Sequence, residues 1–259
     1  MVVEKTEETP PLRECVEMDQ HFMRDKELLK RIASAVAISG KDVIEVGFGH
    51  GELTGELLKK KPARLLAIEK EQSFKLTSAV SDNPLLVVQY GNALQVLKTM
   101  HADVLIGNIP YGISEPLLKV CIKHPFPGIV LVTSHAFAEG LVHGSSKTAL
   151  LARAVYACEI AFTISPDAFY PRPHTRSALL VLHKKNEQMK LDVVLERMAC
   201  RDAKKILPAV QDAAREFLTK KQVKELLRVL PERLLQKSLS QLTNEEFLLL
   251  HAVLEKKLG

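Results

Sequence analysis

The sequence predicts an α/β fold, a mainly parallel sheet with helices on both faces, followed by a small C-terminal all-α domain. Three observations carry this. Short apolar runs recur between residues 42 and 183, separated by segments of helical period. Most runs are apolar throughout rather than alternating, the pattern of strands covered on both faces. After "HKKNEQMK" no strand-like run remains, and the chain to residue 259 reads as amphipathic helices.

Taken in order, "MVVEKTEETPPLREC" is acidic and lacks an apolar core, so residues 1–17 are expected to be a loose leader and not a secretory signal. "DKELLKRIASAVAI" predicts a helix with Asp25 as N-cap and Leu28, Leu29, Ile32 and Val36 on one face. Strands are predicted at 42–46, 64–69, 85–89, 103–107, 128–134, 159–164 and 177–183. Helical stretches such as "GELTGELLKK" and "SEPLLKVCIK" lie between them, giving βαβ units and hence parallel pairing. Further helices are predicted over "LDVVLERM", "AKKILPAVQDAAREFL", "KQVKELLRVL" and "NEEFLLLHAVLEKKL". The change of character places a boundary between residues 1–185 and 186–259.

Composition narrows the function classes. Hydrophobic residues make up 46%, enough for a normal core, and no apolar stretch is long enough to span a bilayer. Cys15, Cys121, Cys158 and Cys200 lie far apart with no C-x-x-C pair, which reads as reduced cytoplasmic thiols and no zinc site. Residues 184–259 hold 16 Lys/Arg against 11 Asp/Glu, and residues 1–183 hold 20 against 20, so the whole +5 excess lies in the last third. Such a surface is either a set of solvated helix faces or a platform for a polyanion such as RNA.

Candidate chemistry gathers at strand ends. "VIEVGFGHGELT" puts Gly47, Gly49 and Gly51 after the first long strand and before a helix, where a ligand can approach the backbone and its free N–H groups. Glu at position 52 makes this G-x-G-x-G and not the dinucleotide G-x-G-x-x-G, which favours a nucleoside without a pyrophosphate. Glu69 ends the next strand and can accept ribose hydroxyls. Asn92 follows the third and can reach an adenine ring. The fourth ends in Asn108-Ile109-Pro110-Tyr111. An exocyclic adenine amine is a poor nucleophile because its lone pair is delocalised into the ring. Two acceptors aimed at its hydrogens, the Asn108 side-chain oxygen and the Ile109 carbonyl, would localise that pair. Pro110 fixes the local backbone, and Tyr111 offers a face for a base taken out of its stack.

With these residues in view, the chain resembles the adenine-N6 dimethyltransferases of small-subunit ribosomal RNA, within the Rossmann-like class I S-adenosylmethionine-dependent methyltransferases. "DQHFM", "EVGFGHG", "IEK", "NIPY" and "FYPRPHTRSALL" resemble its motifs, and "LPERLLQKSLSQLTNEEFLLL" resembles the tail of archaeal members. The resemblance implies that Gln20, His21 and Met23 enclose S-adenosylmethionine near its methionine end, and that Gly47, Gly49 and Gly51 line it. It further implies that Glu69 holds the ribose, Asn92 lies at the adenine, Asn108 and Tyr111 face the target base, and Phe169 packs on that base's other face. A cytoplasmic, monomeric protein acting on the small ribosomal subunit is expected, with no metal.

Departures fall at three places. Asn92 stands where the family usually has Asp. Ser134-His135-Ala136 replaces Gln-x-Glu, and "KTALLARA" (147–154) replaces Tyr-Gly-Arg-Leu-Ser; both segments are expected to flank the substrate side. The alternatives are a large-subunit rRNA methyltransferase and a non-catalytic ribosome-assembly factor on the same fold.

Overall fold

In the computed structural model, which describes residues 21–259, the predicted runs form β2 (Asp42–Val46), β3 (Arg64–Glu69), β4 (Leu86–Tyr90), β5 (Val104–Asn108), β6 (Gly128–Ser134), β7 (Tyr156–Ile164) and β9 (Ser177–Lys184). They make one seven-stranded sheet in the order β4, β3, β2, β5, β6, β9, β7. Pairing is parallel from β4 to β6, and β9 runs antiparallel between β6 and β7. Two short strands that no apolar run announces, β1 (Phe22–Met23) and β8 (Phe169–Tyr170), form a separate antiparallel pair. Gln20, Cys15 and the leader at 1–17 lie outside the described residues.

Helices α1 (Lys26–Ala33), α2 (Glu52–Lys59), α3 (Ser78–Ser81), α4 (Ala93–Val96), α5 (Ser114–Lys123), α6 (His135–Val142) and α7 (Lys147–Val155) connect the strands. After β9 follow α8 (Lys190–Cys200), α9 (Ile206–Ala213), α10 (Lys220–Leu227), α11 (Glu232–Leu235) and α12 (Asn244–Leu258). Asp25 caps α1 as predicted, accepting from the backbone N–H of Glu27 and Leu28. The helix stops before Val36: Ser34 turns its hydroxyl back onto the Lys30 carbonyl, and its N–H takes shorter-range acceptors. α9 starts three residues later than predicted. Pro208 lacks an N–H and clashes with the carbonyl four residues back, so it is tolerated only in a first turn.

Side-chain alternation sends the strands to two apolar clusters. Ile44, Val46, Leu105, Ile129, Leu131 and Leu180 belong to one, and Val43, Val104, Ile106, Val130 and Leu179 to the other. Both faces are therefore covered, which is why the strands read as continuous apolar runs. The exceptions are the two edge strands: β7, whose burial alternates along its length, and β4, none of whose residues is fully buried. Helices α1 and α2 cover the second face.

The first cluster continues without a break into α8 to α12, through residues such as Leu191, Val194, Val210, Leu227, Phe247 and Leu254. "KTALLARA" sits in α7 at this junction. Lys147 donates to the carbonyls of Leu239, Ser240 (both 3.4 Å) and Leu242 (2.7 Å), and its own N–H meets Asn244 Oδ1 at 2.6 Å. Burial and the neighbouring Lys119 hold its ammonium below the usual lysine value. Arg153 closes the end of α6 by donating to the carbonyls of Leu141, Val142 and Gly144. The expectation that 147–154 flanks the substrate side is thus corrected: the segment packs on the helical region. Among the described residues no helix is long and apolar enough to cross a membrane.

Candidate active site

Chain order reverses between β2 and β5: from β2 the chain steps outward to β3 and β4, then returns to β5 on β2's other side. A doubly wound sheet opens a crevice at the carboxyl ends of such a pair. The glycine turn leaves β2 there, and "NIPY" leaves β5. Gly107 makes the approach possible, since a Cβ at that position would lie 2.5 Å from the Val46 carbonyl oxygen. Sequence reading did not single it out. In the turn itself, Gly47, Gly49 and Gly51 have φ of 76°, 52° and 90°, a region that disfavours side chains.

Two adjoining cavities occupy the crevice. One is lined by His21, Met23, Gly47, Gly49, Glu69, Asn108, Ile109, Pro110 and Tyr111, together with Phe22, Phe48, Glu52 and Phe74. The other is lined by Glu69, Asn92, Gly91, Leu94 and Ile113, and the two share Gly47, Glu69 and Pro110. Most predicted residues therefore meet around one elongated groove, with Glu69 at its middle and Asn92 at one end. Gly51 is not among the lining residues; it serves the turn as N-cap of α2.

Glu69 is heavily engaged. Its Oε2 accepts from Gly49 N–H (3.0 Å), and its Oε1 from Lys70 (2.7 Å) and Glu71 (3.1 Å) N–H. A carboxylate offers about four acceptor positions, so one on Oε2 remains for a ligand hydroxyl. The residue thus pins the glycine turn as well as facing the groove. Asn92 caps α4, its Oδ1 accepting from Leu94 N–H at 2.9 Å. That leaves its amide N–H₂, a donor, for the groove.

Asn108 has its orientation set by a neighbour. Its Nδ2 donates to the His21 carbonyl at 2.9 Å. Only the amide end can donate, so Oδ1 is the end left for the groove. The His21 ring in turn bonds the Pro171 carbonyl through Nδ1 at 2.8 Å and lies 5.6 Å, centroid to centroid, from Tyr111. Tyr111 meets Ser177, which is 0% exposed, hydroxyl to hydroxyl at 2.5 Å. Ser177 was missed as a site residue, although it closes the "FYPRPHTRS" segment.

Phe169 departs from expectation. It is 5% exposed, packed with Met23, Ile164 and Leu179 in the second cluster, and it does not line the groove. Strand alternation explains this: β8 turns Phe169 inward and Tyr170, 41% exposed, outward. The altered triplet 134–136 does lie at the site end. Ser134 caps α6, accepting from Phe137 N–H, and the N–H of His135 donates to the Arg176 carbonyl at 2.9 Å.

Beneath the glycine turn, Glu45 is 0% exposed, and burial pushes its carboxyl up to about 8. The Thr54 hydroxyl pulls the other way, and Glu69 and Glu52 reinforce the rise. Neither Glu45 oxygen, nor Thr54 Oγ1, nor His50 Nε2 has a hydrogen-bond partner of good geometry among the described residues.

The groove's charge decides what fits. Lys70 and Glu71 line the second cavity, while Glu52 and Glu69 line the first, which no Lys or Arg lines among the described residues. That wall suits a cationic nucleoside and opposes a pyrophosphate. The family model for ribosomal RNA adenine dimethylase matches residues 16–251. The chain belongs to the ribosomal RNA adenine dimethylase family. A Pyrobaculum aerophilum relative, named a probable ribosomal RNA small subunit methyltransferase A, is 38% identical over 64% of this chain and 73% of its own. A Thermococcus gammatolerans protein of the same name is 28% identical over 89% and 86%. The crystal structure of a Plasmodium falciparum dimethyladenosine transferase shares the fold with TM-score 0.62, at 23% identity over 92% of this chain and 98% of that one. That of the 23S rRNA methyltransferase ErmE follows at 0.59, with 20% identity over 90% and 99%. As a member of this family the chain has a Rossmann-like methyltransferase sheet, and its cofactor is S-adenosylmethionine.

Proposed function

We propose that this protein transfers methyl groups from S-adenosylmethionine to N6 of adenosine in small-subunit ribosomal RNA, dimethylating two adjacent adenosines near the 3′ end. It acts as a cytoplasmic monomer on the small ribosomal subunit. The observation that carries the reading is the Asn108 amide, turned by the His21 carbonyl so that Oδ1 is left for a groove with an acidic wall.

The cofactor supplies an electrophilic methyl on a positively charged sulfur. Gly47, Gly49, His21 and Met23 would enclose its methionine end, Glu69 its ribose, and Asn92 its adenine. Glu52 and Glu69 complement its positive charge. In the first transfer Asn108 Oδ1 and the Ile109 carbonyl would accept the two N6 hydrogens of the target base, and in the second one of them would accept the single hydrogen that remains. Held this way, the amine keeps its lone pair out of the ring and pointed along the line of attack. Tyr111, braced by Ser177, would carry the base on its ring face. Catalysis then rests on positioning and on acceptors already in place before the amine becomes tetrahedral.

The test is tritium transfer from labelled cofactor to small subunits lacking the modification and, in parallel, to large subunits, followed by nucleoside analysis. Label in N6-dimethyladenosine supports the proposal. Label confined to large-subunit RNA, or cofactor binding without any transfer, would overturn it.

A further inference from the structure

Residues 171–177 connect β8 to the start of β9. This arc is tied to the site at three points: Pro171 to the His21 ring, Ser177 to Tyr111, and the Arg176 carbonyl to the N–H of His135. Between these ties Arg172, His174, Thr175 and Arg176 are exposed. At the arc's origin, the guanidinium of Arg24 lies over the ring of Tyr170, 4.4 Å from its centroid. Arg172 is paired with Asp167 at 2.9 Å, but among the described residues no carboxylate pairs with Arg24, His174 or Arg176. In the helical region Lys185, Arg197, Lys204 and Lys237 each hold a carboxylate and the other Lys and Arg hold none among the described residues, so what sets the arc apart is its ties to the site and not its charge alone.

We propose that the Arg24–Tyr170 stack, His174 and Arg176 form a docking track for the single-stranded nucleotides on either side of the target adenosine. This rests on the proposed reaction and adds a surface to it. A base that enters the groove beside Tyr111 leaves its stack, and the nucleotides that flank it then pass close to the arc, which is tied to Tyr111 through Ser177. Exposed aromatic and guanidinium faces stack bases of any sequence, and unpaired guanidinium groups at the same edge receive the phosphates between them. An acidic peptide would use the cations and leave the flat stack idle.

The test measures binding of a short fluorescein-labelled single-stranded RNA with two adjacent adenosines, by anisotropy across a salt series, with the full chain. Arg24→Gln/Arg176→Gln should weaken binding about tenfold and flatten the plot of log affinity against log salt by about 1.4, or about 0.7 for each phosphate that is no longer neutralised. Arg24→Lys/Arg176→Lys, which keeps the charges, should retain the slope. Tyr170→Ala should weaken binding about tenfold with the slope intact, and Tyr170→Phe should restore it. Cofactor affinity by calorimetry and the thermal midpoint report that each variant is folded. Wild-type affinity and slope in the Gln double variant would overturn the track, as would weaker binding at an unchanged slope. Failure of the wild type to methylate small subunits would instead count against the proposed reaction, and these binding measurements would still stand.

Discussion

At the carboxyl ends of β2, β3 and β5, polar side chains are committed one at a time. Asn108 is turned by a carbonyl, Glu69 is held by three N–H groups, and Tyr111 meets a buried hydroxyl. In the helical region of residues 184–259, charge is abundant and mostly unpaired: Lys185, Arg197, Lys204 and Lys237 hold carboxylates, and the other twelve of its 16 Lys and Arg hold none among the described residues. Surface pairs of that kind contribute little to stability and soften the field around them. Net charge locates the basic region and leaves open which of its cations a polyanion touches. What matters is which cations lack a carboxylate and where they stand relative to the groove.

The sharpest way to break this contrast is Asn108→Ala. Its acceptor strengthens as the target nitrogen becomes tetrahedral, so its loss should slow single-turnover methylation roughly a hundredfold or more, with RNA affinity little changed. Near-normal turnover would reduce "NIPY" to a turn.

Glu45→Gln probes the same end through stability. Between the ordinary carboxyl value and about 8, the folded protein keeps a proton that the unfolded chain releases. This contribution is complete below that window and disappears as pH rises through about 8. Its size is on the order of a few kcal/mol, since each tenfold change in proton affinity is worth about 1.4 kcal/mol. The Gln variant should lose that pH dependence and surpass the parent in denaturant melts at alkaline pH. Parallel stability curves for the two proteins would show that Glu45 ionises normally.

Glu69→Ala should weaken cofactor binding about ten- to a hundredfold, since a charged acceptor is lost and the glycine turn loses its anchor. Unchanged calorimetric affinity in a folded variant would remove Glu69 from the ribose. In the helical region, reversing the exposed Lys220 and Lys221 should lower RNA affinity and its salt dependence while leaving cofactor binding intact. Reversing Lys204 and Lys205 should do less, because Asp212 already neutralises Lys204 and only Lys205 is left to meet a phosphate. Equal effects from the two pairs would mean that local pairing is irrelevant. Smallest of all, Asn92→Asp should keep the α4 cap, which Asp provides as well as Asn, and change cofactor affinity within about threefold.

Much of this is legible in the sequence. Strands covered on both faces leave continuous apolar runs, so β2, β3, β6 and β9 could be placed almost to the residue. The glycine turn, Glu69 and "NIPY" could be read because each sits where a strand must stop. What escaped was set by tertiary pairing: β1 and β8 are only two residues each, and their register decides that Phe169 faces inward. Likewise, the Asn108 orientation depends on a carbonyl 87 positions away, which no local pattern encodes. The place of 147–154 was misjudged because an amphipathic helix does not say which neighbour it packs against.

Lys147 carries one more consequence. Its ammonium is fastened to the carbonyls of 239–242 across an apolar cluster that runs unbroken from sheet to tail. The helical region is therefore a fixed gauge and not an arm on a tether. A nucleic acid held on it presents one particular stretch of itself at Asn108, and that span is set by packing inside the protein instead of by linker length. Cutting the chain near residue 186 would not leave a minimal enzyme; it would strip the apolar sides of α5 and α7 of their cover and discard the gauge with them.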